Sequence, residues 1–132
     1  MSWSQQISAL NFVAVGAGAA LGAWLRWLLT LMFNQINWLV PLGTLCANLS
    51  GAYLIGLLVA FFQNHTTLDP AWRLFLITGL LGGLTTFSTF SAEAMAFLQK
   101  GDYLTAFLHS ALHLLASIAL CCLGFASYRY FH

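Results

Sequence analysis

The sequence predicts an all-α integral membrane protein of four transmembrane helices, the third broken near mid-membrane. Three observations carry this prediction. Of the residues, 61% are hydrophobic and 5% charged, whereas soluble domains carry about 25% charged residues. The few charges divide the chain into four segments, each longer than the roughly 20 apolar residues a membrane helix needs. The third segment contains Gly79-Leu80-Leu81-Gly82-Gly83-Leu84-Thr85-Thr86-Phe87-Ser88-Thr89-Phe90-Ser91. Glycine and hydroxyl residues at that density oppose a simple helix. Irregular backbone at membrane depth is tolerated only where protein or a wet cavity surrounds it.

The whole chain, 1–132, is expected to form one transmembrane domain, with helices at about 7–33, 38–62, 71–98 and 103–128. The first segment has Arg26 near its far end. Met1 to Gln6 holds no Lys or Arg, unlike the cationic start of a signal peptide, so this segment is expected to be retained. The second segment lies in the uncharged interval between Arg26 and Asp69. Asp69-Pro70 opens the third segment, because aspartate caps helices and proline suits the first turn. Lys100-Gly101-Asp102 forms a tight turn, and the fourth segment ends before Arg129. Trp38, Trp72, Tyr103 and Tyr128 fall near segment ends, as interfacial aromatics do.

Small residues mark where helices should touch. Gly18 and Gly22 continue a row that includes Ala14 and Arg26. Gly43, Ala47 and Gly51 repeat at the same spacing in the second segment, with Gly56 beyond. Such rows let helix backbones approach closely in lipid.

Charge placement bears on orientation. With four spans, Arg73 and Arg129 share one side of the membrane, and Arg26 and Lys100 the other. Orientation follows an excess of Lys and Arg on the cytoplasmic side, and here there is none. The chain is therefore expected to insert both ways up and to form an antiparallel homodimer. A net charge of +1 offers no basic surface for nucleic acid.

Several function classes lack support. There is no phosphate loop or dinucleotide fingerprint, hence no nucleotide partner, and no metal-ligand spacing. Cys46, Cys121 and Cys122 lie in apolar runs, as small buried hydrophobes do. Ser88, His109 or His113, and Glu93 suggest a triad, but no Gly-x-Ser-x-Gly elbow accompanies them, so the protein is not expected to be an enzyme. A proton-coupled exporter of the small multidrug type is the alternative. That family relies on a first-helix carboxylate, and the first segment here has no Asp or Glu. Glu93 is instead expected at a vestibule.

Passive conduction of a small ion fits best. Asn48 is an amide within an apolar helix, where it can hold a neighbouring helix or donate to an anion. Phe87 and Phe90 are three apart, so their rings face one way, and a ring edge carries partial positive charge. Ser88 and Thr89 add hydroxyls beside them. His113 and Ser117, one turn apart, form a polar track on the fourth helix. Carbonyls released at Gly82 and Thr85 would suit an alkali cation.

Three motifs in order, Gly22-Ala-Trp-Leu-Arg-Trp27, Gly43-Thr-Leu-Cys-Ala-Asn-Leu-Ser-Gly51 and Gly82-Gly-Leu-Thr-Thr-Phe-Ser-Thr-Phe-Ser91, resemble the Fluc-type fluoride channels, the CrcB family. The resemblance spans essentially the whole chain. It implies a dual-topology homodimer in the bacterial inner membrane with two antiparallel fluoride pathways, and fluoride resistance by passive, potential-driven export. It implies that Phe87 and Phe90 are the paired pore phenylalanines and Asn48 the pore asparagine. It places a structural sodium ion on the main-chain carbonyls of Gly82 and Thr85, and Arg26 in a vestibule or anchoring position. Ser117 matches a polar-track serine, and His113 falls one turn earlier. His109 stands where some members have tyrosine.

Overall fold

A computed structural model describes residues 3–132. It is all-helical. The elements are α1 (Trp3–Gln6), α2 (Ala9–Phe33), α3 (Leu42–Asn64), α4 (Pro70–Arg73), a π-helical segment (Leu74–Leu81), α5 (Gly82–Leu84), α6 (Phe87–Gln99) and α7 (Tyr103–Phe131). Among the described residues, four stretches are long and apolar enough to cross a membrane: Ala9–Phe33, Leu42–Asn64, Pro70–Gln99 and Tyr103–Phe131. Large hydrophobic side chains are exposed along them, Trp24, Leu31, Leu115 and Ile118 among others, as expected where lipid is the solvent.

Capping residues set the helix ends. Ser8 Oγ accepts from Asn11 N at the start of α2, satisfying an amide with no partner inside the helix. Asp69 does the same for Ala71 N, with Pro70 in the first turn. After α6, Gly101 adopts φ 75°, Gly101 N donates to Leu98 O, and Asp102 N donates to Phe97 O. This is a Schellman close, which needs the left-handed residue that glycine supplies without strain. Asp102 then caps α7 through Thr105 N.

The second span starts later than about residue 38. Trp38 to Val40 are non-helical, and α3 begins at Leu42 with Pro41 at its cap. Proline pushes the residue before it out of the α region. Asn34 Oδ1 accepts from Gly43 N at 2.7 Å and ties the end of α2 to the start of α3.

The first span packs chiefly on the first half of the third, and the second span on the fourth. Backbone meets backbone at both seams. A Cβ on Gly18 would lie 2.3 Å from Phe75 O, and one on Gly22 2.1 Å from Leu80 O. Across the other seam, a Cβ on Gly56 would meet Cys121 O at 1.9 Å, and one on Gly124 would meet Tyr53 O at 2.0 Å. Such approaches let van der Waals contact hold helices together in lipid. Ala47, Leu81 and Leu84 form the small core where the second and third spans meet.

Candidate ion pathway at the helix break

The third span breaks at Thr85-Thr86, not at its glycines. Gly82 is helical (φ −63°, ψ −35°), while Thr85 (φ −88°, ψ 153°) and Thr86 (φ −152°, ψ 127°) are extended. The glycines serve packing instead: a Cβ on Gly79 or Gly83 would meet backbone of Val15 or Ala19 within 3 Å. Before the break, the backbone widens into a π-helix over Leu74–Leu81. Thr86 restarts the helix as N-cap, its hydroxyl accepting from Thr89 N.

Asn48 holds the break from the second span. Its Oδ1 accepts from Thr86 N at 2.8 Å, and its Nδ2 donates to Thr86 O at 3.2 Å. The amide therefore replaces the bond that Thr86 N would have made in a continuous helix, and adds a second donor to Thr86 O. Nδ2 also reaches His113 Nδ1 on the fourth span at 3.1 Å. With the amide oriented by Thr86, this His113 nitrogen is the acceptor, and the ring proton sits on Nε2.

The break deprives particular carbonyls of their helical donors. In an unbroken helix Thr86 N would bond Gly82 O, and Thr89 N would bond Thr85 O. Both amides are diverted, the first to Asn48 and the second to the Thr86 hydroxyl. Gly83 O instead accepts from Arg26 Nε at 3.1 Å, pinning the first span to the break.

Phe87 and Phe90 leave the break side by side, ring centroids 5.3 Å apart and tilted by 52°. Phe87 is 79% exposed. Phe90 lies against both fourth-span histidines, 5.2 Å from His109 and 4.9 Å from His113. An open cleft of about 390 Å³ runs beside them, with Asn48, Thr86, His113 and Ser117 among its polar lining and Phe87 and Phe90 on its wall. Gly82 and Thr85 reach the same cleft. Ser88 bonds Thr86 by hydroxyl contact at 2.9 Å. Asn48, Phe87, Phe90, His113, Ser117, Gly82 and Thr85 are thus brought to one place, while Arg26 acts behind the break.

A polar cluster that sequence spacing did not expose lies next to this cleft. Thr44 Oγ1 donates to Glu93 Oε1 in a short hydrogen bond. Glu93 Oε2 lies 3.5 Å from Nε2 of the fully buried His109. The His109 and His113 rings are 4.5 Å apart. These groups come from three spans, so only their spacing of four on the last helix was visible in the chain.

Comparison with known proteins identifies the family. Residues 13–125 match the family described as CrcB-like protein, Camphor Resistance (CrcB). The chain is 58% identical over 120 residues to the fluoride-specific ion channel FluC of Cupriavidus metallidurans, covering 91% of this chain and 95% of that protein. It is 54% identical over 125 residues to the same-named protein of Ralstonia pickettii, covering 95% and 99%. For that of Bordetella pertussis the identity is 54% over 121 residues, covering 91% and 92%. With a broken third span, an asparagine bonded across the break and a family match over most of its length, the chain belongs to the CrcB family.

Proposed function

We propose that this protein is a fluoride-selective channel, a passive pore and not an enzyme. The observation that carries the reading is the cleft at the helix break, where the Asn48 amide, hydroxyls and the Phe87 and Phe90 rings face one space. Relatives at 54–60% identity bear the name fluoride-specific ion channel. Fluoride is small and strongly hydrated, so a path needs many weak donors in place of water and no fixed cation that would trap it. The Ser117 hydroxyl, the Asn48 amide, the His113 N–H and ring edges are such donors at the cleft, and the Ser88 and Thr89 hydroxyls, outside its lining, would serve the path beyond it.

The working unit is an antiparallel homodimer with two pathways. Phe87, exposed on one chain, would then meet a second copy. A structural sodium ion at the dimer centre suits the carbonyls of Gly82 and Thr85, whose helical donors are diverted, since alkali ions take backbone oxygens. Two such carbonyls per chain supply four from a pair.

The physiological direction follows from acid–base chemistry. Hydrogen fluoride enters as a neutral weak acid and ionises at cytoplasmic pH. A negative-inside potential across the bacterial inner membrane then drives the anion out and confers fluoride resistance.

The test is fluoride release from liposomes holding the purified protein, read by a fluoride electrode, with a potassium ionophore carrying the counter-charge. Rapid release with chloride retained is expected. No release from folded dimers overturns the reading, and proton-driven uptake of a drug-like cation would favour the small multidrug-type exporter.

A further inference from the structure

We propose that Glu93, His109 and His113 form a binding site for a divalent transition-metal ion of the zinc class. The site shares His113 with the cleft at the helix break, and its test reads the metal and not the conducted ion.

Each of the three residues offers one donor atom, and these atoms all lie within 4.8 Å of one another. Two imidazoles and a carboxylate are a common zinc set, completed by a fourth, exchangeable ligand. Bonds of about 2.0–2.2 Å in tetrahedral geometry bring donors to about 3.4 Å apart. Glu93 Oε2 and His109 Nε2 already stand at 3.5 Å, and the His113 donor lies within 4.8 Å of its partners' donors.

The cluster lacks internal satisfaction. Buried Glu93 Oε2 and His109 Nε2 have only their loose 3.5 Å contact with each other, and buried His113 Nε2 has no hydrogen-bond partner among the described residues. Buried polar groups left unpaired cost about 1–3 kcal/mol each. A cation would answer Glu93 Oε2 and a His109 nitrogen directly, and His113 Nε2 once its proton has moved to Nδ1.

Supporting groups stand where a metal site needs them. Thr44 orients the carboxylate through Oε1, leaving Oε2 for an ion. Phe90 and Phe97 flank His109, at 5.2 and 5.5 Å, and form an apolar shell. Such outer groups fix ligand orientation and lower the local dielectric. Access is short, because Glu93 and His109 each lie six residues from the turn that joins Gln99 to Tyr103.

Ligation through His113 Nε2 would shift its proton to Nδ1, which now faces the Asn48 Nδ2 donor. Asn48 must then turn its oxygen toward the ring and release Thr86 N. Asn48 is a positioning residue for the metal, and Asn48→Asp supplies an acceptor to Nδ1–H as in carboxylate–histidine–zinc triads.

The test uses the untagged full-length protein in detergent, titrated with Zn²⁺ by calorimetry and with Co²⁺ by visible absorption. One saturable ion per chain is expected, with the intense Co²⁺ bands of a four- or five-coordinate centre. His109→Gln, His113→Gln and Glu93→Gln should each weaken Zn²⁺ at least about tenfold, while His65→Gln and His132→Gln should not. Asn48→Asp should tighten it, and weaker binding would overturn the role given to Asn48. A Co²⁺ spectrum of the hexaaqua ion in the unmutated protein overturns the site, whatever the variants do. So does binding that is lost with His65 or His132 but kept without the cluster. No saturable Zn²⁺ binding would assign the unpaired atoms to bridging water instead.

Discussion

Asn48 on the second span and Thr86 on the third grip each other through both halves of one amide. Thr86 N donates to Oδ1 at 2.8 Å, and Nδ2 donates back to Thr86 O at 3.2 Å. This reciprocal pair fixes the break and leaves Nδ2 aimed at His113. The same side chain that stabilises the extended backbone also lines the cleft proposed to conduct.

Asn48→Asp tests that link. The carboxylate keeps an acceptor for Thr86 N but sets a second oxygen against Thr86 O and removes the donor to His113. We expect fluoride release to fall at least about tenfold, a barrier rise of ~1.4 kcal/mol, from the added negative charge in the path. Liposome flux at matched protein density checks this. Flux equal to the unmutated protein would remove the amide from the mechanism.

Phe87→Ile and Phe90→Ile should separate conduction from packing. Phe87 is 79% exposed in one chain, so its loss should leave the fold intact. Phe90 packs on His109 and His113, and its loss should also lower thermal stability, by about 1–2 kcal/mol for the missing aromatic contacts. Both should cut fluoride flux at least about tenfold. Electrode traces and thermal unfolding of the two variants, run in parallel, show the split, and two fully active variants would exclude the rings.

Gly56→Ala and Gly124→Ala should each weaken the seam between second and fourth spans. The added Cβ would fall 1.9 Å from Cys121 O in one and 2.0 Å from Tyr53 O in the other. Neither obstacle is a flexible side chain, so the helices must part, at a cost of about 1–3 kcal/mol or more. The double variant should cost less than the sum, because either change alone opens the same seam. Gly16→Ala, with nothing within 4 Å, should be neutral or stabilising by up to about 1 kcal/mol. Thermal unfolding in detergent measures all four.

Arg26→Met should loosen the first span from the break. It leaves Gly83 O without the guanidinium donor now 3.1 Å away, a loss of about 1–3 kcal/mol. Arg26→Gln, which keeps a donor on a shorter stem, should recover part of it. Melting temperatures that rank native, then Gln, then Met would establish the bond; equal temperatures would assign Arg26 to the vestibule alone.

The four spans were legible because charges are sparse and Asp69, Lys100, Asp102 and Arg129, with the polar Asn34 to Asn37 stretch, fall at or near span ends, while Arg26 and Glu93 lie within spans. The break was legible as a dense run of glycine and hydroxyls, but its position was not. Glycine signals both irregular backbone and close approach, and in Gly79, Gly82 and Gly83 the helix persists while a neighbouring backbone closes in on Gly79 and Gly83. Thr85 and Thr86 carry the extended geometry because Asn48, distant in sequence, compensates Thr86. The π-helix over Leu74–Leu81 has no local signature, since an apolar run with one Thr and one Gly reads equally as an ordinary membrane α-helix. The Thr44–Glu93–His109 contact depends on the register of three separate helices, which periodicity within each cannot supply.

The charge balance yields the last prediction. The observed spans place Arg73 and Arg129 at one end of the bundle and Arg26 and Lys100 at the other. A single lysine should therefore tip insertion one way, since Lys and Arg near the ends of short loops set orientation. Asn37→Lys adds charge beside Arg26, and Thr66→Lys adds it beside Arg73. Labelling of single cysteines introduced at each end should show both orientations for the unmutated sequence and one for each variant. If the active unit is an antiparallel pair, either variant alone should lose at least about tenfold in flux, and their co-expression should restore it. Full flux from a variant held in one orientation would show instead that a pore forms without an inverted partner.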